Sequence, residues 1–137
     1  MTYIVVLCNL CVGVLCRKFI GAEGMSQSKE LVAASATPMI LSVLSRGESY
    51  GYAIIQEIKT LSGNEIEWTD GMLYPVLRRL ESQGLVESEW RVVESGKKRR
   101  YYRIKKVGVK ALQEQREQWQ LTNRVLSKLW KELPCST

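Results

Sequence analysis

The sequence predicts a mainly α-helical fold with one small β-hairpin, in the order of three short helices, two strands and a long helix. Three observations support this prediction. Apolar residues recur at helical spacing in three segments between positions 30 and 84, alternation with a period of two follows over 86–104, and seven-residue spacing begins after position 106. A chain of 137 residues can form one domain with a real core plus extensions.

The first two predicted helices cover about residues 30–45 and 50–61. Their apolar faces consist of Met39, Ile40, Val43 and Leu44 in the first, and of Ile54, Ile55, Ile58 and Leu61 in the second. Pro38 predicts a bend or a restart in the first helix, Gly47 is a C-terminal signal for it, and Gly63 lies in the stop of the second.

The third predicted helix begins after Thr69 or Asp70, either of which is a suitable N-cap, and ends at Gly84. Pro75 lacks an amide hydrogen, so the regular helix is expected to begin a little later than Thr69 suggests. Its buried stripe consists of Leu73, Val76, Leu77 and Leu80. The opposite face carries Asp70, Met72, Tyr74, Arg78, Arg79 and Gln83.

A β-hairpin is predicted next. The half-buried face of its first strand consists of Val86, Ser88, Trp90 and Val92. A turn around Gly96 leads to a second strand over residues 100–104, with Tyr102 and Ile104 on one side.

The last predicted helix covers about residues 106–133. One seven-residue row contains Leu112, Trp119, Leu126 and Leu133, and a mixed row contains Val109, Arg116, Asn123 and Trp130. Such a row is typical of helix–helix packing, and the small domain offers little to cover it, so a second copy of the chain is the expected partner. The alternative is that this helix folds back on the first helix. The expected dimer contacts are Leu112, Trp119, Leu126, Trp130 and Leu133.

Charge and composition favour a nucleic-acid partner and weigh against an enzyme. The formal net charge is +6, and nine of the twenty basic residues lie between Arg91 and Lys110, where Glu94 is the only acidic residue. Such a patch favours a polyanion, with nucleic acid ahead of an anionic membrane. The sequence has no histidine, the commonest general base and metal ligand. We expect neither enzymatic activity nor a cofactor, because no catalytic constellation stands out.

The first 25 residues form an apolar extension. Residues 3–16 fall short of the roughly 20 apolar residues of a membrane-spanning helix. Arg17 and Lys18 follow the apolar run, whereas the charges of a secretory signal precede it. The extension is an extra packed element, a membrane-binding or partner-binding segment, or upstream sequence with Met25 opening the working protein. We favour the last alternative and expect a cytoplasmic protein without stable membrane association.

The four cysteines are Cys8, Cys11, Cys16 and Cys135. A structural zinc site normally needs four cysteine or histidine ligands, so the distant Cys135 would have to complete one. We expect no metal and reduced, incidental thiols, as in cytosolic proteins.

Three short helices followed by a basic hairpin form a winged helix-turn-helix. In this arrangement the helix before the hairpin enters the major groove of DNA, which is wide enough to admit it. Arg78 and Arg79 are expected to reach phosphates or guanine edges, and Tyr74 is placed to donate to a phosphate. The hairpin tip carries four consecutive basic residues, Lys97, Lys98, Arg99 and Arg100. Because strand side chains alternate, at least two of these should face DNA.

Three segments of the chain resemble the PadR-like family of transcriptional regulators. They are SYGYAII at 49–55, WTDGMLYPVLRRLESQGLV at 68–86 and SGKKRRYYRI at 95–104. The resemblance covers about residues 31–130 and implies a homodimer that represses transcription from an inverted-repeat operator. It also implies that a small, often aromatic or drug-like, effector can release the DNA from some members. The apolar extension has no place in the family pattern.

The resemblance divides the chain into the extension at 1–25, a winged DNA-binding domain at 26–105 and a dimerisation helix with a tail at 106–137. The expected DNA contacts are Tyr52, Asp70, Met72, Tyr74, Arg78, Arg79, Lys97, Lys98 and Arg99. Trp119 is either an anchor of the dimer core or a contact to the effector. Two rival functions stay open, a protein-interaction module that does not read DNA and a membrane-tethered regulator.

Overall fold

The computed structural model describes residues 27–131, which contain four helices and three strands. The elements are α1 (Lys29–Ser45), β1 (Ser49–Tyr50), α2 (Gly51–Leu61), α3 (Asp70–Ser82), β2 (Val86–Val92), β3 (Lys98–Ile104) and α4 (Lys106–Trp130). The predicted mainly helical winged helix-turn-helix is therefore confirmed. The expectations for the extension, for Leu133 and for the cysteines concern residues outside the described range.

Helix α1 begins at a capped N-terminus and runs through Pro38 without a restart. The Ser28 hydroxyl accepts a hydrogen bond from the Leu31 amide at 3.2 Å, which satisfies one of the free donors at the helix start. Helix α3 begins at Asp70 with Thr69 as its N-cap, so Pro75 lies within the helix and does not delay its start.

The helices enclose one apolar core together with the base of the hairpin. The predicted faces supply most of it, with Ile40, Val43, Leu44, Ile54, Ile55, Ile58, Leu73, Leu77 and Leu80 all buried. Leu41 and Trp68 are also buried, although the predicted faces did not include them. Leu61 was predicted to be part of the face of α2, but as the last residue of that helix it is 65% exposed.

The sheet has three antiparallel strands in the order β1-β3-β2, one more than the predicted hairpin. Strand β1 is only two residues long and pairs Ser49 with Tyr102 and Tyr50 with Tyr101. Two residues show no alternation, so the sequence pattern could not reveal this strand. Strand β3 begins at Lys98, two residues earlier than predicted.

The half-buried face predicted along β2 is correct only at its base. Val86 is 1% exposed, whereas Trp90 and Val92 are 66% and 68% exposed. The core covers only the base of the hairpin, and the side chains beyond Ser88 have no apolar layer to pack against.

The first turns of α4 pack on the winged domain through Gly108. A Cβ atom at this position would lie 2.2 Å from the carbonyl oxygen of Leu85. This close approach brings Leu112 into the core, where it is 6% exposed. Leu112 was expected at the dimer interface, and the structure places it in the core of its own domain instead. The described residues 27–116 form one compact unit, which does not include the described residues 117–131.

Candidate nucleic-acid interface

A groove lies between α3, the N-terminal end of α2 and the hairpin of residues 86–104, which we call the wing. The residues that line this basic groove are Tyr50, Gly51, Tyr52, Tyr74, Arg78, Trp90, Lys98, Arg99, Arg100 and Tyr102. Five of the nine expected DNA contacts, Tyr52, Tyr74, Arg78, Lys98 and Arg99, are brought together here. The third helix and the cationic wing thus share one surface, as binding to a double-stranded polyanion requires.

The other four expected DNA contacts do not line the groove. Asp70, Met72, Arg79 and Lys97 are all exposed. Arg79 points toward α1, where its Nη2 donates a hydrogen bond to the Thr37 hydroxyl at 2.9 Å. Asp70 lies in the first turn of α3, where a carboxylate interacts favourably with the helix dipole.

The basic residues of the winged domain divide into paired and unpaired groups. Arg91, Arg100 and Arg103 form ion pairs with Glu48, Glu81 and Glu87, at 2.6, 2.8 and 2.8 Å. Within residues 27–131, no ion pair involves Arg78, Lys97, Lys98 or Arg99. Within the winged domain, the positive charge that stays free for a polyanion is therefore concentrated on α3 and at the tip of the wing.

Arg91, one of the paired cations of the sheet, lowers the pKa of its partner Glu48. Arg91 hydrogen-bonds both carboxylate oxygens of Glu48, at 2.6 and 2.8 Å, and also pairs with Glu89. The hydrogen bond from Arg91 is the main cause that lowers the pKa of Glu48; desolvation opposes it, and the positive charges of Arg91 and Arg103 lower the pKa further. Glu48 therefore stays ionised and keeps Arg91 from contributing a free positive charge.

Arg100 fastens the wing to α3 through Glu81 and Ser88. Arg100 Nη2 donates to Glu81 Oε2 at 2.8 Å, and Arg100 Nε donates to the Ser88 hydroxyl at 2.8 Å. The Ser88 hydroxyl in turn donates to Glu81 Oε1 at 2.5 Å. Glu81 lies in the last turn of α3. This network connects the wing to the last turn of α3, so Arg100 links the two elements and is not a free cation.

Gly51 makes room for Tyr74 at the floor of the basic groove. A Cβ atom at position 51 would lie 2.7 Å from the Tyr74 hydroxyl. The phenol can therefore rest on the first turn of α2, while Tyr74 keeps 37% of its surface exposed. The sequence prediction did not single out Gly51, although its place between two tyrosines at a helix start was a visible signal.

Stacking on an aromatic ring orients the guanidinium group of Arg99. Its Cζ atom lies 4.5 Å from the centroid of the Tyr50 ring. Tyr50 is supported by an edge-on contact with Tyr101, with ring centroids 5.4 Å apart. Stacking of this kind holds the plane of an arginine while its N–H groups stay free to donate to phosphate. Tyr50 is thus a groove residue that the sequence prediction missed.

No helix within residues 27–131 has both the length and the apolar character needed to cross a bilayer. In the same part of the chain, no three side chains of the His, Cys, Asp or Glu types come together in a way that could hold a metal ion.

Comparison with known proteins places this fold among regulators. The sequence model of the family described as transcriptional regulator PadR-like matches residues 40–114 of this chain. This range contains every residue of the basic groove. The chain is 40% identical over 88 residues to transcriptional regulator Rv3488 of Mycobacterium tuberculosis, covering 64% of this chain and 78% of the relative.

Two solved structures are similar in fold and in sequence. A transcriptional regulator from Clostridium thermocellum has 32% identity and a TM-score of 0.68, with 75% of this chain and 97% of that chain covered. A PadR family transcriptional regulator from Eggerthella lenta has 38% identity and a TM-score of 0.63, with coverage of 76% and 88%.

Proposed function

Since the chain belongs to the PadR-like family of transcriptional regulators, which are not enzymes, we propose that it represses transcription by binding an inverted-repeat operator as a homodimer. The observation that carries this proposal is the basic groove, because unpaired cations from α3 and the wing converge there. A module that only binds proteins has no need for such convergence.

In the proposed complex, α3 enters the major groove and the wing lies along the adjoining backbone. Arg78 is placed for a guanine edge or a phosphate, and Tyr74 for a phosphate. Lys98 and Arg99 bind phosphates from the wing. Tyr52, Asp70, Met72, Arg79 and Lys97 complete the proposed set of DNA contacts.

We assign dimerisation to α4 beyond residue 116. This part of the helix exposes apolar side chains at Trp119, Leu121, Val125, Leu129 and Trp130. Trp119 and Trp130 lie on the same face of the helix as the half-buried Leu126, and exposed apolar side chains along a helix are typical of a surface that a second helix covers. Trp119, Leu126 and Trp130 are the proposed contacts, with Leu133 continuing the row. Trp119 is also the proposed contact for a small aromatic or drug-like effector.

Selection of bound DNA from a random duplex pool tests the proposed function. The expected result is enrichment of two inverted half-sites whose centres are about one helical turn, roughly 10 base pairs, apart. Binding should weaken steeply with salt, because each phosphate contact releases counterions. Recovery of unenriched DNA, or an affinity independent of salt, would overturn the proposal.

Two variants with the same net charge distinguish, in this selection, the contribution of the basic groove to DNA binding from that of overall positive charge. In the test variant, glutamine replaces Arg78, Lys98 and Arg99. In the control variant, it replaces Lys110, Arg124 and Lys128, which are exposed on α4 and lie outside both seven-residue rows. Both variants lose three positive charges. Only the test variant is expected to lose its affinity for the operator. Equal losses of affinity in the two variants would show that general charge attraction is sufficient for binding.

If the chain is a dimer through α4, a substitution in this interface should halve its mass in solution. Leu126→Asp places a charge at the interface, where it has no partner, so the dimer should dissociate. Sedimentation at a concentration that keeps the parent dimeric should then show monomers, with weaker binding to a two-half-site operator. Gln120→Asp, exposed and outside both seven-residue rows and the face of Leu121, Val125 and Leu129, is the control and should stay dimeric. A dimeric Leu126→Asp variant would exclude Leu126 from the interface.

A further inference from the structure

Trp90 is a large apolar side chain that the core does not use. It is 66% exposed on the groove face of the wing, and Val92, two residues further along the same face, is 68% exposed. In the strand register Trp90 pairs with Arg100, and Val92 pairs with Lys98. The wing therefore presents a small apolar patch that is framed by two cations.

A chain of contacts connects the indole of Trp90 to α3. The guanidinium Cζ of Arg100 lies 5.9 Å from the centroid of the Trp90 ring. Arg100 is itself held by Glu81 of α3 at 2.8 Å. Trp90 and Arg78 line the same groove, so a ligand that occupies the groove along α3 also meets the indole.

The charges around this apolar patch indicate the kind of ligand that it can bind. Lys98 next to Val92 makes no ion pair within residues 27–131, and the Glu81 carboxylate is paired with Arg100. An apolar surface beside a free cation is complementary to a polymer that alternates apolar and anionic groups. The DNA backbone has this pattern, because apolar faces of deoxyribose lie between its phosphates and form the walls of the minor groove.

We propose that Trp90, together with Val92, packs against deoxyribose in the minor groove that flanks each half-site, while Lys98 binds the adjoining phosphate. This assignment rests on the proposed DNA-binding function. It gives the wing an apolar contact as well as an electrostatic one. Because the width of the minor groove depends on base sequence, the contact makes Trp90 a specificity-determining residue for bases that no side chain touches.

Salt dependence distinguishes this apolar contact from a charged one. For the full-length chain on the selected operator, Trp90→Ala should weaken binding about 10-fold, as expected for the loss of a modest buried apolar area. The slope of log affinity against log salt should stay that of the parent, because no phosphate contact is lost. Trp90→Phe keeps an aromatic ring and should retain most of the affinity. Lys98→Ala is the matched control and should flatten the slope by about 0.9.

Folding and oligomeric state are measured on the same variants. Since Trp90 is exposed, its replacement should leave the thermal midpoint and the sedimentation of the protein close to those of the parent. A second selection with Trp90→Ala should keep both half-sites and lose the preference for bases beside them.

The outcomes separate the inference from the function on which it rests. If the parent selects an operator and Trp90→Ala binds it equally well, the role of Trp90 is overturned and the regulator stands. A flattened salt slope or a changed oligomeric state for Trp90→Ala would also overturn this role. If the parent itself binds no DNA, both proposals fail.

Discussion

Replacing Gly108 with alanine is expected to lower the free energy of unfolding by about 1–3 kcal/mol, the range of an overpacked core position. The added Cβ would lie 2.2 Å from the Leu85 carbonyl oxygen and 2.8 Å from Cγ1 of Ile104. The carbonyl cannot easily move, because it accepts the Lys105 amide at 2.9 Å. Alanine gains about 1 kcal/mol over glycine in a helix, which is less than the cost of this clash.

Thermal unfolding measures the effect of Gly108→Ala. The midpoint should fall by about 5 °C or more for a domain of this size. Gly71→Ala is the matched control, because its Cβ would meet only the Thr69 hydroxyl at 3.8 Å. That variant should unfold at or slightly above the midpoint of the parent. If Gly108→Ala unfolds at the parent's temperature, α4 does not pack against Leu85 as closely as described.

Replacing Arg78 with alanine is expected to weaken operator binding by about 1–3 kcal/mol, or roughly 5-fold to 150-fold, and to relax the base preference at one position. The side chain is exposed in the basic groove and has no ion pair among the described residues, so its guanidinium group is free to bind. The loss should be larger on the operator than on random duplex. Folding should be unaffected, because no core contact is removed.

Lys98→Ala is the comparison for Arg78→Ala. If Lys98 binds only phosphate, its loss should weaken binding to the operator and to random duplex by similar factors. Affinities of both variants on both duplexes, measured at several salt concentrations, distinguish the two roles. Equal losses on the two duplexes for Arg78→Ala would show that Arg78 contacts phosphate and not a base.

The elements that the sequence predicted well are those with a repeating pattern. The stripe of α3, with Leu73, Leu77 and Leu80, follows helical periodicity and is fully buried. The same pattern leaves Tyr74 and Arg78 on the opposite face, where they line the basic groove. Periodicity is a property of neighbouring residues, so it can be read along the chain without knowledge of what packs against it.

The features that escaped prediction depend on residues far apart in the sequence. Strand β1 exists only because Ser49 and Tyr50 meet β3 about fifty residues later. Arg99 and Arg100 are neighbours with the same charge, yet one stacks on Tyr50 and the other pairs with Glu81. Strand alternation places the two arginines on opposite faces of the sheet, but the local pattern does not show which partner each of them meets.

The sequence by itself determined the order of the elements, the buried faces of the helices and the basic character of the hairpin, because each depends on local spacing and composition. Tertiary structure alone decided where the core ends on the wing, which cations stay free and that Leu112 belongs to the domain core. The physical reason is that burial and charge pairing are set by the partner that folding brings to each side chain.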